Sequence, residues 1–105
     1  MLYKFKSKVS ADLIMLPADG ARMLDILIGH SEPQGIVTLA QLPEAIARLE
    51  AAVAIDEARR EARRKGEEDG AEDPLPAVRL AQRAAPMLKM LRQCLREEAD
   101  LVWGV

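Results

Sequence analysis

Residues 99–105 read ADLVWGV. The only tryptophan, Trp103, stands in an apolar run at a place where small domains usually fray into polar residues. Such a run needs cover, and the opposite end of the sequence offers it. Residues 1–9, MLYKFKSKV, alternate: Tyr3, Phe5 and Ser7 point one way, Leu2, Lys4 and Lys6 the other. That is the pattern of a strand with one wet face. Tyr3, Phe5 and Trp103 are all the aromatic residues of the chain. The simplest account pairs the two ends in one sheet, with the three rings turned toward a helical layer. A buried aromatic side chain hides about 150–250 Å², so the indole alone contributes a few kcal/mol, enough to hold a terminal strand.

Working outward, SAD (10–12) reads as a tight polar break and LIML (13–16) as a second strand on the other side of the first. Pro17 ends it. Asp19 is the expected N-cap of a short helix over about 20–28, with Leu24, Leu27 and Ile28 as its stripe and Gly29 as its cap. HSEPQGIVTLAQL (30–42) is a loop in which Ile36 and Val37 form a short extended piece. Pro43 opens a long helix, carried by Ala45, Ile46, Leu49, Ala52 and Val53 to about Lys65, where Gly66 stops it. Its last ten residues are charged nearly all round, so this end is expected to project into water, supported by Asp56–Arg60 and Glu61–Lys65 pairs.

GEEDGAEDPLP, about 66–76, reads as a flexible acidic linker. A third helix is expected over about 77–99. Its main stripe is Ala81, Ala84, Ala85, Leu88, Leu91 and Leu95, widened by Met87, Met90 and Cys94. Pro86 within it predicts a kink near 82–86, or two abutting helices. Asp100 is expected to break this helix before a last strand over 101–103. The second and third helices should pack antiparallel. The expected fold is α+β, a single domain over 1–105: about three strands formed by both chain ends, three helices on one face, in the order β-β-α-α-α-β.

The chain has 105 residues, about half of them apolar, and a net charge of −2 from 15 basic and 17 acidic side chains. That balance argues against a nucleic-acid binder, which carries a basic excess. The densest basic run, RREARRK (59–65), is followed at once by an acidic one that screens it. A single cysteine and no secretory pattern point to a reducing, cytoplasmic setting. No apolar stretch approaches the roughly 20 residues a bilayer requires, so no membrane is expected.

The end segments MLYKFKSK with ADLIML, QRAAPMLKML with LVWGV, and the middle segment GIVTLAQLPEAIARLEAAV resemble a family of small bacterial proteins, domain of unknown function 1840. The resemblance spans nearly the whole chain apart from the acidic linker. It implies a bacterial cytosolic protein. It transfers no activity and no catalytic residue.

The chemistry-bearing residues are sparse. His30, the only histidine, has Glu32 two positions on, but one His, one Cys and scattered carboxylates make no metal-ligand pattern. Cys94 falls on the apolar side of its helix, the place of an inert buried thiol rather than a nucleophile. Ser7, Ser10 and Ser31 belong to no nucleophile elbow, and no phosphate-cradling loop occurs. No cofactor is expected. The weak binding candidates are Arg79 and Arg83, on a basic helix face with Arg92 and Arg96, and His30 in its loop. Met87 and Met90 are spaced as core or interface residues. The leading expectation is a small structural or protein-interaction module, with self-association as a homodimer one form of it. The alternative is a small-molecule or anion binder without catalysis, and an enzyme comes third.

Overall fold

A computed structural model describes residues 2–64 and 80–104. The alternation at the N-terminal end forms β1 (Tyr3–Ser7), which turns at Lys8 and Val9 into β2 (Ser10–Met15). Ser10, Ala11 and Asp12 are therefore strand, not a break. The extra residue they carry is absorbed as a bulge, since pairing shifts between Phe5↔Leu13 and Ser7↔Ser10. Leu16 and Pro17 lead straight into α1 (Pro17–Ile28). Proline at the first helical position needs no backbone donor, so the helix starts three residues earlier than expected. Leu16 is the cap residue and makes no side-chain cap bond, so Asp19 lies inside the first turn instead of capping it. Gly29 closes the helix at φ 82°, a left-handed conformation that glycine adopts without strain.

The extended piece after the loop is a full strand, β3 (Gly35–Val37), so the sheet has four strands and not three. A 3-10 turn (Leu39–Gln41) and α2 (Leu42–Arg64) follow, then α3 (Leu80–Arg96) and β4 (Leu101–Trp103). The strand order is β2-β1-β4-β3, antiparallel throughout. The two ends of the chain do meet: Phe5 pairs with Trp103 and Lys6 with Val102. The indole is 1% exposed, its ring centroid lies 6.4 Å from that of Phe5, and Trp103 Nε1 donates to the Glu32 carbonyl at 2.8 Å.

The helices cover one face. Phe5, Met15, Val37, Leu101 and Trp103 from the sheet meet Met23, Leu24 and Leu27 of α1, Leu42, Ala45 and Leu49 of α2, and Ala84, Met87, Leu91 and Cys94 of α3. Helices α2 and α3 run antiparallel, with Asp56 beside Leu80 at one end and Glu50 bridged to Arg92 at the other. The buried stripe of α3 is Leu80, Ala84, Met87, Met90, Leu91 and Cys94; Ala85 and Leu95, expected inside, are exposed. The methionines are therefore core, which removes them from any interface. Pro86 sits exposed within one uninterrupted helix and does not split it.

That helix stops at Arg96, short of the expected residue 99. Glu98 adopts φ 54° and the Ala99 N–H returns to the Cys94 carbonyl at 2.9 Å, a left-handed helix ending. Asp100 does not break the helix. Its carboxylate accepts the Leu39 N–H at 2.9 Å and ties β4 to the 3-10 turn. The acidic linker and Lys65 lie outside the described residues, and within them Glu61 pairs with Arg64.

The charged end of α2 is only partly in water. Asp56 is buried at 7% exposure, bonded to Arg60 Nε at 2.9 Å and to the Leu80 N–H at 3.4 Å. Burial by itself pushes the Asp56 carboxyl up. The Arg60 and Leu80 hydrogen bonds, with the charges of Arg60 and Arg22, outweigh it and hold the group below the ordinary carboxylate value.

Candidate functional site: the uncovered face of the sheet

The three residues singled out in the sequence do not form a site. Arg79 lies outside the described residues. Arg83 is engaged by Asp19 in the first turn of α1, at 3.5 Å. His30 follows the other end of that twelve-residue helix, roughly 16 Å away along its axis. The imidazole is exposed, with its ring centroid 6.3 Å from that of Trp103 and Nδ1 accepting from the Glu32 N–H at 3.4 Å. The loop it begins is fastened down: Tyr3 Oη donates to the Ser31 carbonyl at 3.0 Å, beside the Trp103 bond to Glu32. Two shallow clefts of about 280 and 330 Å³ flank Pro33, one against Leu2, Tyr3 and Pro17, the other against Glu32, Gln34 and Gly104.

Cys94 is buried in the core, with Sγ 3.3 Å from Ser7 Oγ. Among the described residues no three His, Cys, Asp or Glu side chains gather to hold a metal ion, and no helix is long and apolar enough to cross a membrane.

The unusual surface is the face of the sheet away from the helices. Strand alternation places Leu2, Lys4 and Lys6 there from β1 and its approach, Asp12, Ile14 and Leu16 from β2 and its exit, Val102 from β4 and Ile36 from β3. Leu2, Ile14, Leu16 and Ile36 are 59%, 53%, 60% and 45% exposed. They are four of the six large exposed apolar side chains among the described residues. Large apolar groups gathered on one solvent-exposed face make it the candidate surface.

The face is also charged in a pattern. Lys4 reaches Asp12 at 4.0 Å. Lys6, Lys8, Val102, Asp100 and Glu98 line a cleft of about 300 Å³ at the hairpin end of β1. Among the described residues, neither Lys6, Lys8 nor Glu98 has an ion-pair partner.

Sequence reasoning read this face as wet, from Lys4 and Lys6, and missed its apolar half. The signal was present in LIML, which is apolar at both parities. A one-faced strand alternates; a strand apolar on both sides asks for cover on both.

Comparison with curated proteins and with solved structures finds no match. The family described as Domain of unknown function (DUF1840) matches residues 1–103, the whole described fold but for its final glycine, and the chain belongs to that family.

Proposed function

We propose that this domain is a small, non-catalytic protein-interaction module of the bacterial cytoplasm, and that it binds through the uncovered face of its sheet. One observation carries the reading: Leu2, Ile14, Leu16 and Ile36 stand half-exposed on the side of the sheet that no helix among the described residues covers. Together with Lys4, Lys6, Asp12 and Val102 they make an apolar surface bordered by charges of both signs, as an apolar interface core is bordered by a polar rim.

Site-specific photo-crosslinking tests it. A photoreactive amino acid replaces Ile36 on the face, or Arg48 on the exposed side of α2, in cells that make the protein. Discrete protein adducts at position 36, well above those at position 48, support the module. Equal and low yields at both positions count against it.

A small-molecule binder is the second reading, favoured by the clefts beside Pro33, which reach the low end of ligand-pocket size. A thermal-shift screen decides it. A compound that raises the melting temperature of the native chain, and not of a Pro33→Glu variant, supports this reading.

A further inference from the structure

We propose that the uncovered face docks a second copy of this chain, sheet against sheet, about a two-fold axis that runs along the strands between β1 and β4. The inference rests on the reading of this face as a protein-binding surface and names its partner.

The register supplies the geometry. The central strands are β1 and β4, and the edge strands β2 and β3 lie outside them. A two-fold axis along the sheet between the central pair lays each β1 over the partner's β4 and each β2 over the partner's β3. Sheets with the usual right-handed twist stack this way with strands within about 30° of alignment. Ile36 is level with Val102 and Lys6, and Ile14 with Lys4, one strand step away. Each Ile14 therefore lies diagonal to Ile36 of the other copy, within reach of a long side chain.

The charges agree. Lys6 is opposite Val102 within one sheet, and extending that register places Lys8 opposite Asp100, where the two line one cleft with Glu98. In the stacked pair, Lys8 of each copy lies over the Asp100 and Glu98 end of the other. The face as a whole carries Lys4, Lys6 and Lys8 against Asp12, Glu98 and Asp100, a balanced set. A strongly acidic or strongly basic partner would leave like charges opposed; a copy of the same face does not. Glu98, the left-handed residue that ends α3, lines the lysine cleft beside Asp100.

The size of the face sets the strength. The strands are five, six, three and three residues long and about 4.8 Å apart, so the face is roughly 19 Å wide and about 10–20 Å long. A flat footprint of roughly 200–400 Å² per copy falls below the about 800 Å² a side of standard interfaces, so the expected dimer is weak and reversible, with a dissociation constant of about 100 µM.

Sedimentation equilibrium on the full chain, from about 1 to 300 µM, reads the mass directly. A rise from monomer toward dimer across that range supports the inference. A monomer throughout overturns it, and leaves the crosslinking yield at Ile36 to decide the broader reading separately. Two variants then fix the surface. Ile14→Glu and Lys8→Glu should each weaken association about tenfold or more while the far-ultraviolet circular dichroism stays native. The double variant Lys8→Glu with Glu98→Lys should recover most of the loss, because it reverses the pair without removing it. A dimer indifferent to both single changes, or a double variant weaker than either, overturns the proposed geometry.

Discussion

Replacing Trp103 by alanine removes the largest side chain of the core. The indole is 1% exposed and is held by Phe5 and by its bond to the Glu32 carbonyl. An area of about 150–250 Å² at about 25 cal/mol per Å² gives about 4–6 kcal/mol as an upper bound, because the unfolded chain already hides part of it. Truncations of buried Trp and Phe cost about 3–5 kcal/mol, so about 4 kcal/mol is expected. That is a large share of the roughly 5–15 kcal/mol that holds a domain together. With an unfolding entropy near 2.1 cal/mol/K per residue, it lowers the melting temperature by about 18 °C. Trp103→Phe separates burial from bonding. It keeps a ring in the core and gives up the donor to Glu32, an exposed residue whose carbonyl water can reach, so about 1–2 kcal/mol is expected. Urea titrations followed by far-ultraviolet circular dichroism measure both, since the fluorophore is gone. A Trp103→Ala loss below about 1 kcal/mol, the level of an ordinary surface change, would refute the placement of this ring at the centre of the core.

Gly35→Ala should cost about 1–3 kcal/mol, because the new methyl group would overlap the Cζ2 and Cη2 atoms of Trp103; a chemical melt together with a red shift of tryptophan emission checks it. The Asp56 carboxyl sits below its ordinary value when folded, so its contribution is fully present above about pH 4 and is lost as the pH falls through the depressed folded value. Asp56→Asn should therefore lower the urea midpoint at pH 7 and leave a flatter acid limb below about pH 4; parallel slopes in the two proteins would exclude that linkage. Arg83→Ala removes only a half-exposed ion pair to Asp19 and should change stability by less than about 1 kcal/mol, as read from the same titrations.

The parts of the fold that were legible are those where periodicity and composition agree. All three aromatic residues fall in the end strands at matching parity, and that alone placed β1 beside β4. The antiparallel helix pair followed from two long periodic segments. What escaped was decided by interactions of high sequence separation. The rotation of α3 that buries Met87 and Cys94 and exposes Leu95 is set by what the sheet offers, with Gln93 bonded to the Val9 carbonyl at 2.6 Å and Cys94 against Ser7. β3 is only three residues long; Ile36 and Val37 read locally as an extended piece, but their place in the sheet is set by Trp103 and Val102 alongside, which no local pattern announces. The candidate site was half legible: the lysines were visible, and the apolar half was hidden in a strand that reads equally well as fully buried.

The strand order has a consequence for how the molecule assembles. Among the described residues β4 is the only strand that touches β3, and it also separates β3 from the hairpin of β1 and β2. On a growing chain the hairpin and β3 are made early, yet neither can join the other until residues 101–103 have emerged. Closing that gap spans about a hundred residues, and such non-local pairing is intrinsically slow. Through that interval the helices offer the hairpin's inner face its only cover and its outer face has none, so Phe5 lacks its ring partner Trp103 until β4 slots into the middle of the sheet.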